Sequence, residues 1–311
     1  METTETITCP FGHTTTPEKL FDRQDWWFQL PGDFAWQRCP DCGLLFLSPR
    51  PTIETITDYY PDRYAAYRPA IEDEKWFFMR WKRRRNLRRS IQAVNRRAEI
   101  GRLLDVGCAT GNYLAEMQRF GWSVAGVEIQ AEAAEYARAR FGFDVFTGDL
   151  LASNLPAHSF DVVTLWDVLE HTHYPIAILQ EAHRVIKPGG LLVFSIPDPT
   201  AVWADRFGPA WIGYDTPRHL YLFHGDSLAL LLNQTGFSLV ERQHFLATYH
   251  TWVASFHTWL NWRMPDSWRR RLILKLAYLP FWSVITAPYF RRLNRNGRAT
   301  DMTIYAKATS S

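Results

Sequence analysis

The sequence predicts an α/β protein in which a mainly parallel sheet carries helices on both faces. Two observations predict this class. Apolar runs typical of strands alternate with segments of helical composition between residues 102 and 197. The first run, Leu103–Val106, ends at a turn with glycines at positions 107 and 111, which cannot continue a buried strand. Strands that alternate with helices in this way form parallel sheets, so a doubly covered sheet is expected.

The elements follow one another in a regular order. The strand Leu103–Val106 precedes a helix around Tyr113–Phe120, which is followed by the strand WSVAGVE and an alanine-rich helix ending at Gly142. The segment FDVFTGD, the strand FDVVTLWD, a helix from about Pro175 to Ile186, the turn KPGG and the strand LLVFSIP complete the series. Ligands of such sheets bind outside the carboxyl ends of the strands, so the functional site is expected there.

Composition limits the setting of the protein. With 47% apolar and 22% charged residues among 311, the chain has the balance of a folded protein. The first ten residues, METTETITCP, lack the basic and apolar segments of a signal peptide, so a cytoplasmic location is expected, with the inner face of the membrane as an alternative. Four cysteines in a chain of this length do not indicate a disulfide framework.

The glycine turn and the next strand predict a nucleoside site. Gly107 and Gly111 allow the backbone to approach a ligand, and the helix that follows offers free amide donors. A dinucleotide fingerprint would need glycines where the chain has Ala109 and Asn112, so a pyrophosphate cradle is not supported. Glu128 ends the next strand, where a carboxylate can accept hydrogen bonds from both hydroxyls of a ribose.

Five segments in order carry a family resemblance. LLDVGCATGNYL, GVE, GDL, FDVVTLWDVLEH and VIKPGGLLVFSIPD resemble the motifs of class I S-adenosylmethionine-dependent methyltransferases, with a core similar to ubiquinone-type O-methyltransferases. The resemblance covers about residues 101–243, and TDMTIYAKA looks like the reversed last strand. It implies a Rossmann-like seven-stranded sheet, S-adenosyl-L-methionine as the cofactor, and an enzyme that transfers its methyl group.

The same resemblance assigns roles to eight cofactor-binding residues. The glycine turn would meet the methionyl part of the cofactor, an acid before it would act near the amino group, and a second acid would hold the ribose. A pair of residues would lie by the adenine and another pair beneath the sulfonium. The turn residues are Gly107 and Gly111, the acid before the turn is Asp105, and the ribose acid is Glu128. Asp149 and Leu150 are the adenine pair, and Trp166 and Asp167 are the pair beneath the sulfonium. As alternatives, Asp149 would be a surface turn residue and Trp166 a core residue.

The acceptor is expected to be a hydroxyl of a sugar, quinone-like or lipid-linked metabolite. Because a hydroxyl must lose its proton, a histidine near the rim is a candidate base. His219 lies in DTPRHLYLFHGDSLALLLNQTGF, which resembles the segment after strand five of ubiquinone-type enzymes, and is preferred; His171 and His173 in LEHTHYP are the other candidates. A structural role remains open for each histidine, and Asp215 with Arg218 could bind an acidic or sugar substrate instead.

The N-terminal part, residues 1–60, resembles a zinc ribbon. Cys39 and Cys42 have the spacing of a zinc knuckle, and Cys9 with His13 lies upstream. In methyltransferases with such a ribbon the first pair is normally two cysteines, whereas Gly12 occupies the second position here. His13 would replace it, giving a site of three sulfurs and one nitrogen; the alternative is a ribbon that has lost its metal.

Two further segments complete the predicted organisation. Residues 61–100 form a basic aromatic helical linker, and residues 101–311 form the methyltransferase domain with an aromatic helical insertion at 245–298. The insertion is interpreted as a lid or a dimer interface over a hydrophobic pocket, or as a contact with a membrane surface. The oligomeric state stays open.

Two other functions are weighed against a small-molecule enzyme. A nucleic-acid methyltransferase would use the basic linker and the ribbon, but WDVLEH does not match the N/D-P-P-Y/F motif of amino-methylating enzymes. Nucleic acid is therefore not the expected partner. A non-catalytic scaffold is the second alternative, and the intact cofactor motif argues against it.

Overall fold

The computed structural model describes residues 3–61, 70–244, 249–279, 281–295 and 300–309. Parts of the predicted linker (62–69) and of the predicted insertion (245–248, 280 and 296–298) lie outside the described residues.

A seven-stranded sheet forms the centre of the molecule. Its strands, in spatial order, are β12 (Phe237–His244), β13 (Asp301–Ala308), β10 (Ile186–Pro197), β9 (Phe160–Trp166), β6 (Arg102–Val106), β7 (Ser123–Glu128) and β8 (Asp144–Thr147). The strands from β10 to β8 in this order are parallel, and β13 is antiparallel to both of its neighbours. The predicted mainly parallel sheet, with a reversed last strand, is confirmed.

Helices cover both faces of this sheet. They are α1 (Phe77–Asn95), α2 (Asn112–Arg119), α3 (Ala131–Phe141), α4 (Pro175–Val185), α5 (Val202–Phe207), α6 (Gly225–Gln234), α7 (Tyr249–Arg263), α8 (Trp268–Ala277), α9 (Phe281–Ile285) and α10 (Ala287–Arg295). Adjacent residues of β6 point to opposite faces: Leu103 belongs to the core cluster that contains residues of α1–α3, and Leu104 to the cluster that contains residues of α4–α7. Among the described residues, none of the helices has the length and apolar composition needed to cross a bilayer.

The strand order reverses beside β6. From β6 the chain proceeds to β7 and β8 on one side and then returns to place β9 and β10 on the other. The carboxyl ends of β6 and β9 therefore form the switch point at which open α/β sheets bind their ligands.

The N-terminal residues form a second sheet that includes a strand from the far half of the chain. Its spatial order is β11 (Tyr221–Leu222), β4 (Leu45–Leu47), β3 (Phe34–Arg38) and β2 (Glu18–Arg23), and all pairs are antiparallel. A separate two-stranded pair joins β1 (Thr4–Glu5) to β5 (Arg50–Pro51). The N-terminal sheet is thus completed by residues that follow β10.

A buried ion network joins the same two regions. The Arg218 guanidinium donates to both carboxylate oxygens of Asp25, each at 2.9 Å, and to those of Asp215 at 2.9 and 2.6 Å. The side chains of Arg218 and Asp25 are completely inaccessible to solvent. Because one buried cation faces two carboxylates, removing any partner would leave a buried charge unpaired.

Candidate functional site

A cavity of about 1240 Å³ lies at the carboxyl ends of β6, β7 and β9. Six of the eight predicted cofactor residues line it, namely Gly107, Glu128, Asp149, Leu150, Trp166 and Asp167. Asp105 and Gly111 do not line it. The position agrees with the switch point of the sheet, so the sequence-predicted residues converge on one space.

The glycine turn after β6 has a backbone that favours glycine. Gly107 has φ of +74°, and a Cβ there would lie 2.6 Å from Cγ2 of Val168. Its amide donates to the carbonyl of Val127 at 2.7 Å, which fixes the turn against the end of β7. Gly111 also has a left-handed φ, of +77°, but it packs against α3, with Ala137 as the nearest neighbour of an added Cβ. Gly107 therefore forms cavity wall, whereas Gly111 allows α2 and α3 to approach.

Asp105 is a buried acid behind this wall. Its Oδ1 accepts a hydrogen bond of 2.6 Å from the Thr164 hydroxyl on β9. Burial and the nearby charge of Glu128 raise its pKa to about 7, against the lowering effect of the Thr164 bond. An acid poised in this way would be ionised by a cation placed near the turn.

Glu128 lies on the cavity wall at the end of β7. Its Oε2 accepts from the amide of Ala109 at 2.8 Å and its Oε1 from the amide of Gln130 at 2.9 Å. Burial raises the pKa of this carboxyl. Each carboxylate oxygen can accept a second hydrogen bond, so the side chain is fixed in place and still able to receive two hydroxyl donors.

Sequence reasoning missed an apolar residue beside this acid. Ile129 is two-thirds exposed, although it is a large aliphatic residue, and it lines the cavity with Leu150 and Leu151. Asp149 caps the short turn of Leu150–Ala152 by accepting from the Ala152 amide at 2.9 Å. The signal was present in the sequence as an isoleucine directly after a strand-ending acid.

The rings of His171 and His219 lie next to each other, with His171 on the cavity wall. Nδ1 of His171 lies 3.0 Å from the carbonyl of Arg218, and Nδ1 of His219 lies 2.8 Å from the carbonyl of Gly213. Because a carbonyl only accepts, Nδ1 of His219 carries the proton and its Nε2 keeps a lone pair. Nδ1 of His171 has a second neighbour, the Tyr60 hydroxyl at 3.0 Å, in addition to the Arg218 carbonyl. Burial, with the neighbouring His219, lowers the pKa of His171 to about 3, and burial also lowers that of His219. Both rings are neutral near pH 7.

The structure distinguishes the three candidate histidines. His171 and His173 line the cavity, whereas His219 does not. Nε2 of His173 lies 3.0 Å from the carbonyl of Pro51, so this nitrogen donates and the ring links the N-terminal region to the sheet. Glu170 is buried beside His171 and His219, with donor atoms within 4.8 Å of one another, a set that could hold a metal ion. Burial raises the pKa of Glu170 well above its usual value.

The N-terminal region and the predicted insertion form the rest of the wall. Trp27 and Phe28 of the N-terminal region line the cavity, and so do residues of α7 and α8. The rings of Trp27 and His257 lie 4.8 Å apart, and Nδ2 of Asn261 donates to the carbonyl of Trp26 at 2.8 Å. These contacts close the aromatic end of the cavity, and no local pattern in the sequence predicts them.

Asp215 and Arg218 are not available to a substrate. Neither lines the cavity, and their charged atoms bond to each other and to Asp25. The interpretation of this pair as a binding site for an acidic or sugar substrate is therefore wrong: the pair fixes Asp25, whose Oδ1 accepts from the amides of Trp27 and Phe28.

The four predicted metal ligands come together in the N-terminal sheet. His13 Nδ1 lies 3.4 Å from Sγ of both Cys9 and Cys39, and the sulfurs of Cys9 and Cys42 are 3.8 Å apart. A tetrahedral zinc ion with usual bond lengths needs ligand separations of about 3.5–3.8 Å. Three buried thiols and one imidazole at these distances fit zinc, and His13 takes the place left by Gly12.

Comparison with known proteins gives one family and consistent relatives. The methyltransferase domain family matches residues 79–242, which is more than half of the 311 residues. The chain is 34% identical to a ubiquinone biosynthesis O-methyltransferase of Pectobacterium atrosepticum over 111 residues, covering 33% of this chain and 46% of that protein. It is 29% identical to the enzyme of the same name from Ruegeria pomeroyi over 172 residues, covering 49% and 65%. The chain thus spans about half the length of the curated relatives it matches.

Among solved structures, the chain is similar to a SAM-dependent methyltransferase from Archaeoglobus fulgidus. The two share 20% identity with a TM-score of 0.49, over 75% of this chain and all of that one.

Proposed function

The chain belongs to the methyltransferase domain family, and we propose that it transfers the methyl group of S-adenosylmethionine to a hydroxyl of a small, largely apolar acceptor. The single observation that carries the proposal is the cavity at the switch point, with a glycine turn and a strand-ending acid on its wall. This arrangement offers bare backbone and a hydroxyl-binding carboxylate at adjacent strand ends.

Each wall residue has a role in binding the donor. Glu128 would accept the two ribose hydroxyls, since its oxygens are already oriented by the amides of Ala109 and Gln130. Ile129 and Leu150 would contact the adenine, and Gly107 would admit the methionyl chain. Asp105, behind the turn, would stabilise the positive amino group through the field or a bridging water.

The bound donor supplies an activated methyl group on its sulfonium, so the protein has mainly to position the acceptor and exclude water. His171 is the better-placed proton acceptor, because it lines the cavity. Its pKa of about 3, which burial causes, makes it a weak base, so it would take the proton only as the acceptor oxygen is methylated and becomes strongly acidic. Its Nε2 would accept the acceptor's proton as the carbon–oxygen bond forms and the methyl carbon–sulfur bond of the donor breaks, which leaves the demethylated donor as a neutral thioether. His219 would support His171 from behind, with ring centroids 4.6 Å apart.

The walls of the acceptor side favour an aromatic or lipid-like molecule over a free sugar. Trp27, Phe28, Tyr60 and Tyr278 line this side, and aromatic walls offer a large apolar contact area with few hydrogen-bonding groups. The name of the relatives, ubiquinone biosynthesis O-methyltransferase, supports a quinone-like acceptor.

Two basic residues, one in α1 and one just after it, are held in ion pairs, which lowers the support for a nucleic-acid acceptor. Arg84 pairs with Glu72 and Glu116, and Arg97 pairs with Glu241, so these cations are engaged within the protein. Phosphate contacts would need free basic groups.

Calorimetry with S-adenosylmethionine and its demethylated product tests the donor site. The wild type should bind both, and Glu128→Gln should bind each at least tenfold more weakly, because a neutral amide replaces an oriented carboxylate. Asp144→Asn, at the start of β8, is the matched control. Labelled methyl transfer to a short-chain polyprenyl catechol then tests the acceptor class. Absence of donor binding by the folded wild type would refute the proposal.

A zinc ion in the Cys9, His13, Cys39 and Cys42 cluster is proposed as a structural cofactor. It would join the segment before β2 that holds Cys9 and His13 to the turn between β3 and β4 that holds Cys39 and Cys42. No catalytic role is proposed for it, because four protein ligands would leave no open position.

A further inference from the structure

Helices α8 and α9 expose an unusual set of large apolar side chains. Among them, the side chains of Trp268, Val284 and Ile285 are 70%, 73% and 63% exposed. Several large apolar side chains exposed on consecutive helices are typical of a surface that binds a partner or a membrane. The α8–α9 patch is defined here as six exposed residues: Trp268, Leu272, Leu276, Trp282, Val284 and Ile285.

The part of the patch on α8 lies along one helix face. Trp268, Leu272 and Leu276 are four residues apart, so they lie along the same side of α8. The opposite side of α8 faces the cavity through Arg270 and Leu274, and Tyr278, directly after the helix, also lines the cavity. One helix therefore has one apolar side turned outward and another turned toward the proposed reaction site.

The charge around the patch is mostly positive, with Asp266 just before α8 paired to Arg270 and Arg271. Between Trp268 and Arg295 the sequence has basic residues at 269, 270, 271, 275, 291, 292 and 295 and no aspartate or glutamate. Arg269, Lys275, Arg291 and Arg292 are exposed. Arginines that flank exposed aromatic and aliphatic side chains match the negative surface and apolar interior of an anionic bilayer.

We propose that the α8–α9 patch docks on the surface of a bilayer containing anionic phospholipid. The helices lie in the interface and do not cross it, since α8 and α9 have ten and five residues, against about 20 for a span. A second copy of this chain is a poorer occupant: a two-fold interface places the same patch on both sides, and the basic residues would then face one another.

Docking in this orientation has a consequence for the acceptor. The bilayer would lie on one side of α8 and the cavity on the other, so an apolar acceptor dissolved in the bilayer would enter past a single helix. This consequence alone rests on the proposed function; the docking itself does not.

Vesicle flotation tests the proposal. Wild type is mixed with vesicles of phosphatidylcholine alone, or with about one third phosphatidylglycerol, at low and high salt. It should float with the anionic vesicles only, and high salt should release part of it because charge attraction is screened. Leu272→Gln/Leu276→Gln should bind at least about tenfold more weakly, since two buried leucine contacts are lost.

The matched control is Ile100→Gln/Phe120→Gln, which removes two exposed apolar residues, 62% and 48% exposed, near the amino end of β6 and away from the cavity. It should bind as wild type does. The proposal is overturned if the wild type floats with neither kind of vesicle or equally with both. It is also overturned if the two double variants lose vesicle binding to the same extent. A wild-type dimer in light scattering that the Leu272/Leu276 variant dissociates would also overturn it, and would assign the patch to self-association.

Calorimetric titration of the donor into each variant separates this result from the proposed function. If the protein floats with vesicles but binds no donor, the docking proposal stands and the proposed function is refuted. If it binds the donor but never floats, the proposed function stands and the docking proposal is refuted.

Discussion

Replacing Asp105 by asparagine tests the electrostatic account of the first strand most directly. Asparagine keeps the size of the side chain and an oxygen that can accept from Thr164, but it cannot ionise. Burial, with the nearby Glu128, raises the pKa of Asp105 from 3.8 to about 7. The folded protein therefore binds this proton more tightly than the unfolded chain does.

The magnitude follows from the shift. About three pKa units at 1.36 kcal/mol each give an upper limit of about 4 kcal/mol. Because the pKa is raised on folding, wild-type stability falls as pH rises from about 4 to 7, and the variant is free of this loss. The difference in unfolding free energy, variant minus wild type, should increase by about 2–4 kcal/mol between pH 4 and pH 8.

Urea unfolding at several pH values measures this difference. Asp161→Asn is the control with the opposite sign, because burial of Asp161 is outweighed by hydrogen bonds from Lys187 and the Arg102 amide, and its pKa is lowered. That variant should lose stability relative to wild type as pH rises through the acid range in which Asp161 ionises. Parallel pH profiles for Asp105→Asn and wild type would refute the assignment of Asp105 as a buried acid with a raised pKa.

Donor binding supplies a second readout of the same acid. If the ionised form is needed, the competent fraction of a group with pKa of about 7 rises about tenfold from pH 6 to pH 8, and donor affinity should rise with it. Asp105→Asn should bind donor weakly with no such slope. A wild-type affinity that falls over this range would contradict the proposed role.

Three further predictions concern single substitutions. Gly107→Ala should lose donor binding and about 1–3 kcal/mol of stability, because its φ is +74° and the new Cβ meets a side chain at 2.6 Å. In Gly142→Ala, the control, φ is +71° but the new Cβ meets open space, so only the stability cost of the backbone conformation is expected. Calorimetry measures donor binding, and urea unfolding measures stability. Metal analysis should find about one zinc per chain, lost in Cys39→Ser and kept in Cys108→Ser; equal zinc content in the two variants would contradict the site. His171→Gln should lower kcat by about 10²–10⁴-fold while donor affinity, measured by calorimetry, stays within about twofold; an unchanged kcat would remove this residue as the base.

The sheet and the donor side of the cavity could be predicted because their signals are local. The strand Leu103–Val106, its glycine turn and the acid at the end of the next strand lie within about 25 residues, and their spacing reflects one βαβ unit. Gly107 and Glu128, which this motif singles out, both line the cavity, and their roles in binding a donor stay predictions. Asp105 was identified from the same motif, but sequence could not show that it lies behind the wall.

The acceptor side could not be predicted because it is built from contacts between distant segments. Arg218 meets Asp25 across 193 residues, and a two-residue strand at Tyr221–Leu222 is too short to give a periodic signal. The preference for His219 over His171 came from a resemblance in the flanking residues. Only the three-dimensional structure places His171 on the cavity wall and His219 behind it.

The strand β11 makes the order of synthesis matter. Until Tyr221 and Leu222 have emerged, β4 has an open edge, although Leu45, Phe46 and Leu47 are all buried in the finished protein. An exposed apolar edge is a site of misassociation. We therefore expect a fragment ending near residue 60 to aggregate when expressed alone, even with zinc supplied, and a separately added fragment that carries β11 to restore solubility.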